Sequence, residues 1–167
     1  MLPAESARVT NTPHLLTRDE GQRLWFLGTL MVIKSDGALT GGGFGLLEQV
    51  LPPGFMPPLH VHHGEDEAFY VLEGRITFHC GDRSFPAATG SFVYLPRDIP
   101  HWFRVEGEQP ARLLEWTIPG GVERYFVENG TPASALTLPP PAAPDVQRLI
   151  ATAAAYNVEI LGPPPAE

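Results

Sequence analysis

Apolar residues fall in short runs along this chain, and turn-forming residues cut them apart every few positions. Arg23 to Lys34 (RLWFLGTLMVIK) is apolar and β-branched enough for one or two strands. SDGALTGGG then turns the chain, and FGLLEQVL resumes a strand. PPGFMPP interrupts again, because proline cannot donate to a sheet ladder and is confined to edges and ends. From Leu59 to Trp116 short runs are separated by GED, LEGR, CGDR, AATGS, PRDIP and EGEQP, a spacing that predicts an antiparallel β fold. Residues 1–20 are polar and without period, and read as an arm or loop. In GGVERYFVENG, Val122 and Phe126 stand one helical turn apart, with Gly130 placed to stop a short helix. TPASALTLPPPAAP is a proline-rich connector. After it, Val146, Leu149, Ile150, Ala153 and Ala154 share the helical period. They predict an amphipathic helix over about 144–157, docked outside the strands through Val146, Leu149, Ile150 and Ala153. No internal repeat is visible, so the strands form one set and not a duplicated barrel.

A chain of 167 residues predicts one domain spanning residues 1–167. With 43% hydrophobic and 18% charged residues it reads as globular, and 17 Gly with 19 Pro favour a turn-rich all-β sandwich or barrel. The formal net charge of -8, with no basic run, argues against a nucleic-acid partner, since phosphate binding needs clustered Lys and Arg. One cysteine, Cys80, cannot form an internal disulfide. No stretch approaches the ~18 apolar residues of a membrane span, and no basic-then-apolar leader opens the chain, so the expected location is cytoplasmic and away from membranes.

Candidate chemistry gathers in GFMPPLHVHHGEDEAFYVLEG. His60 and His62 are two apart in an extended context, so both side chains leave one face of a strand. HGED allows a reversal, and a hairpin there brings Glu67 back beside them. GSFVYLPRDIPHWFRV offers a further strand, a turn, and His101 at the head of another strand. Three imidazoles and a carboxylate suit one divalent first-row transition metal, and these ligand types accept Fe, Mn, Co, Ni, Cu or Zn. His14, in the arm, and His79, in RITFHC, stand alone and read as ordinary polar residues. His63 points away from His62 and reads as a turn residue.

Gly54-x5-His60-x-His62-x4-Glu67-x6-Gly74 resembles the first motif of the cupin family at every fixed position. Gly90-x5-Pro96-x-Asp98-x2-His101-x3-Val105 resembles the second, with Asp98 where Gly is usual and Val105 where Asn is usual. Asp tolerates the left-handed bend that such a Gly serves. The resemblance implies an antiparallel jelly-roll barrel over about residues 25–118, with the metal inside and a C-terminal helical segment over about 121–157. WFLGTLMVIK, PPLHVHHGEDEAFYVLEG, GGVERYFVENGTPA and NVEILGPPP are similar, more narrowly, to single-cupin proteins related to bacterial quercetin 2,3-dioxygenases. That likeness implies a dioxygenase acting on a flavonol or other enolisable aromatic substrate, with Glu67 as both ligand and general base. If Glu67 and His101 point inward, alternation sends Phe69, Val71, Phe103 and Val105 inward as the substrate wall. A metal-dependent isomerase or lyase on a small polar substrate, and a non-enzymatic ligand-binding module, are the alternatives. The long apolar run at Arg23 to Lys34 would need covering at a sheet edge, which favours a homodimer.

Overall fold

The structure is a computed structural model that describes residues 11–166. The first half of the expected arm lies outside the described residues, and residues 11–20 run exposed over the surface. The Arg23 to Lys34 run divides into β1 (Gln22–Phe26) and β2 (Thr29–Ser35). Between them Leu27 (φ 51°) and Gly28 (φ 82°) form the doubly left-handed turn that matches the twist of a tight hairpin. There follow β3 (Gly45–Leu51), β4 (Leu59–His62), β5 (Asp66–Glu73) and β6 (Arg75–Cys80). Then come β7 (Arg83–Ala88), β8 (Phe92–Leu95), β9 (His101–Val105) and β10 (Ala111–Ile118). The tail adds α1 (Glu123–Asn129), a short β11 (Thr131–Pro132), α2 (Val146–Ala153), a 3₁₀ turn at Ala154–Tyr156, and β12 (Val158–Gly162).

Two antiparallel sheets result, in the order β11-β1-β2-β3-β10-β5-β8 and β12-β4-β9-β6-β7. The antiparallel pairing is what the turn-punctuated runs predicted, and the jelly roll is the fold that the cupin resemblance implied. β3 pairs along its whole length with β10, from Ala111 opposite Leu51 to Thr117 opposite Gly45. In both strands inward residues are buried and outward ones half-buried, save the exposed Ile118 at the end of β10, so the period-2 pattern sets which face meets the core. The apolar β1–β2 run is covered by the chain itself. β11 pairs with the edge of β1, and the Lys34 ammonium donates to the carbonyls of Thr17, Arg18 and Glu20. Trp25 Nε1 reaches Thr137 O at 2.8 Å.

The interior holds two apolar clusters. One lies between the sheets and includes Phe69, Val71, Phe78, Phe103 and Val105. The other sits at one end, where Leu24, Phe26 and Met31 meet Tyr125 and Phe126 of α1 and Leu149 of α2. In α2 only Leu149 and Ala153 are buried, while Val146 and Ile150 are each 52% exposed. The helix is shorter than its apolar period suggests. A 3₁₀ turn and Asn157 in the left-handed region (φ 57°) end it and lead into β12. β12 then pairs with β4, with Val158 opposite His62 and Ile160 opposite His60.

Candidate metal centre

His60 and His62 lie on β4 and His101 opens β9, all in the five-stranded sheet, with His60 directly opposite His101. Glu67 lies on β5 in the facing sheet, between Thr117 and Leu95. The link from β4 to β5 therefore crosses between sheets and is not the expected hairpin. Both edges of β4 are taken by β9 and β12, leaving none for β5. Across the gap the four side chains bring one potential ligand atom each to within 4.8 Å of one another.

The imidazoles are oriented from behind. His60 Nδ1 lies 2.7 Å from Pro58 O, and His101 Nδ1 lies 3.0 Å from Ile99 O. Carbonyl oxygens only accept, so these Nδ1 atoms carry the hydrogens and each Nε2 presents a lone pair. His62 Nδ1 is held by the buried carboxylate of Glu65. His101 Nε2 stands 2.8 Å from Glu67 Oε2, and His62 Nε2 stands 3.4 Å from Glu67 Oε1. Neither His101 Nε2 nor Glu67 Oε2, both buried, has a hydrogen-bond partner among the described residues. Lone pairs facing one another in a buried site are what a cation between them relieves. The donor set thus fits a divalent transition metal held through three imidazoles and one carboxylate.

Burial, then the neighbouring His101 and His62, hold the His60 ring down to about 3, so it stays neutral and ready to ligate. Burial alone would raise the Glu67 carboxyl, but His62, His101 and His60 outweigh it and hold it well below the usual range. For His62 burial works downward, yet Glu67 and Glu65 leave the ring raised. Beside them Glu115, on β10, is pushed well above the ordinary carboxyl range by burial and then by the Glu67 charge.

An apolar cavity, here called the slot, opens over the cluster, with about 710 Å³ of space counting its open mouth. Phe69 and Phe103 line it, as do Phe26, Phe55, Tyr125 and Phe126. Val71 and Val105 do not. They are buried further along the same strands, where the Phe69, Phe78 and Phe103 rings pack on one another at 5.1–6.2 Å between centroids. The β3 and β10 residues Gln49 and Glu115 and the C-terminal residues Leu149, Val158 and Ile160 complete the wall. Alternation could have flagged Gln49 and Glu115, since each is polar on an otherwise apolar face.

Outside the cluster, Asp98 adopts φ 64°, the bend that Gly usually serves in the motif, and its backbone N–H donates to His62 O at 2.8 Å. His63 is turned outward between Asp98 and Glu159, at 2.7 and 3.1 Å. His79 stacks on Trp102 with centroids 4.0 Å apart, away from the centre, and His14 is exposed. No helix among the described residues is long and apolar enough to cross a membrane.

Two antiparallel sheets enclosing a three-histidine, one-carboxylate cluster give the chain the architecture of a cupin fold with a candidate metal site. Residues 47–117 match the cupin domain family. The chain is 27% identical over 151 residues to quercetin 2,3-dioxygenase of Bacillus subtilis, a match covering 89% of this chain and 44% of that protein. It is 33% identical over 88 residues to the polyketide synthase CurC of Streptomyces cyaneus, covering 53% of this chain and 55% of that protein. The chain thus spans about half the length of these curated relatives. Among solved structures it resembles KdgF from Halomonas sp., with TM-score 0.59 and 14% identity over 68% of this chain and 99% of that one. It also resembles a predicted oxalate decarboxylase from Thermotoga maritima, with TM-score 0.57 and 22% identity over 64% and 99% of the two chains. These structural likenesses support the fold alone.

Proposed function

We propose that this chain is a metal-dependent dioxygenase that opens a flavonol-like, enolisable aromatic substrate with dioxygen. One observation carries the reading: the slot over the centre is aromatic-walled and free of Lys and Arg among its described lining residues. A flat ring fits between such walls, whereas a small carboxylate would face Glu67 and Glu115 with no cationic side chain to receive it. The likeness to quercetin 2,3-dioxygenase over most of the chain supports the same class.

His60, His62, Glu67 and His101 would hold the metal, which supplies Lewis acidity and redox reach toward dioxygen when bound. The protein's own part is positioning and proton transfer. Phe69 and Phe103 line the slot beside the substrate ring and keep water from it. Glu67, held anionic by three imidazoles, takes the proton of the substrate hydroxyl, which leaves the electron-rich enolate that dioxygen attacks.

The test is oxygen uptake by metal-reconstituted protein across a panel of flavonols. Uptake matched to loss of flavonol absorbance, and abolished by a chelator, is the expected result. No uptake with the metal site filled would overturn the dioxygenase reading and favour an isomerase or lyase on the same centre.

A further inference from the structure

We propose that Arg97 is a positioning residue for the metal centre: it grips the link between β4 and β5 on both sides of Glu65 and so holds that carboxylate against His62. The inference rests on the reading of the centre as a metal site and is independent of which substrate the slot takes. Residues 63–65 cross from one sheet to the other, after β4 ends at His62 and before β5 begins at Asp66, and lie in neither strand. Glu65 belongs to this crossing, yet it is only 5% exposed, and its carboxylate holds His62 Nδ1. A buried carboxylate on a segment without a ladder stays inward only if the backbone beside it is fixed, since water and chain entropy both draw it out.

Arg97 supplies that fixing. Its Nε and Nη2 donate to Asp66 Oδ1 and Oδ2 at 3.0 and 3.1 Å, a two-pronged pairing of defined geometry. Its Nη1 donates to Gly64 O at 3.2 Å. The guanidinium therefore binds the residue before Glu65 and the residue after it. Nη2 also reaches Ile118 O, at the end of β10, at 3.2 Å. Arg97 is itself anchored in the turn before His101. There its backbone N–H donates to Asp66 Oδ1 at 2.9 Å, and the Asp98 N–H donates to His62 O at 2.8 Å. The contacts run from Arg97 through Gly64 and Asp66 to Glu65, and from Glu65 to the His62 ring. The Arg97 side chain is 40% exposed, so its ion pair adds little to overall stability, and its effect falls on the centre.

The experiment measures zinc affinity by competition with a chromophoric chelator for the full chain as wild type, Arg97→Leu, Glu65→Ala and the double variant, with circular dichroism confirming the fold. Arg97→Leu should bind zinc roughly tenfold more weakly, the low end of what an outer partner of a ligand contributes. Removing a nearby cation favours zinc by charge alone, so a loss of affinity reports position. In the Glu65→Ala background the same change should alter affinity by less than about twofold, because the group that Arg97 positions is gone. Arg97→Lys keeps the charge without the fork and should recover only part of the loss. Should Arg97→Leu fail to fold, Arg97→Lys decides the matter in the same cycle, with a loss expected in the wild-type background and none in Glu65→Ala. Wild-type affinity in the Arg97 variant, or an equal loss in both backgrounds, would overturn the positioning role while leaving the metal centre intact. A wild-type chain that binds no zinc would overturn the metal centre and the positioning role with it.

Discussion

Glu65 offers the sharpest perturbation of the centre that leaves its four donor residues in place. His60 and His101 are oriented by backbone carbonyls, which no substitution removes. His62 alone is oriented by a side chain, the Glu65 carboxylate, and both partners are buried. Glu65→Ala strips the acceptor from His62 Nδ1–H, so that hydrogen is left without its partner and the ring is free to change tautomer or swing. Losing such an outer partner weakens metal binding by roughly 10–100-fold, or about 1.4–2.8 kcal/mol. Glu65→Gln keeps a neutral acceptor and should fall between Ala and wild type. The assay is competition for zinc between the metal-free protein and a chromophoric chelator, with circular dichroism confirming that each variant is folded. Equal zinc affinity for Glu65→Ala and wild type would refute the reasoning. It would mean that packing beside His60 and His101, not the carboxylate, sets the His62 ring.

Glu67→Gln keeps one coordinating oxygen but removes the base, so metal should remain and flavonol turnover should drop by roughly 10²–10⁴ in steady-state oxygen-uptake kinetics. Zinc affinity should weaken on acidification. The His62 ring binds its proton more tightly than an ordinary imidazole, so the proton competes with metal from above the usual value of 6.5 downward, as calorimetric titration at several pH values would show. Leu149→Ala should cost about 2–5 kcal/mol and lower Tm by several degrees, whereas Ile150→Ala, one residue on but half exposed, should stay within about 0.5 kcal/mol in the same thermal melts.

The four residues of the candidate metal centre were legible because local spacing carries most of the information. His60 and His62 share a face through strand alternation alone, and the turn before His101 is written in Pro96, Asp98 and Pro100. The route to Glu67 was not legible, since GED reads equally as a hairpin or as a crossing between sheets. The choice was made by β12, which claims the free edge of β4. β12 itself is hard to see, being a five-residue run behind a helix. For α2 the apolar period was real but wider than the contact, because the helix ends at Ala153 and turns only Leu149 and Ala153 inward. The slot depends on long-range packing. Alternation sends Phe69, Val71, Phe103 and Val105 to the same interior, yet only pairing and ring packing show that Phe69 and Phe103 meet the cavity while the valines lie behind them.

The most direct test of the metal centre is an anomalous-scattering measurement on crystals of the protein reconstituted with a single transition metal. The account predicts one strong peak per chain, with His60, His62, Glu67 and His101 each contributing a ligand atom at about 2.0–2.2 Å. A metal peak at another site, or a His101 ring turned away from the ion with the other three bound, would contradict it.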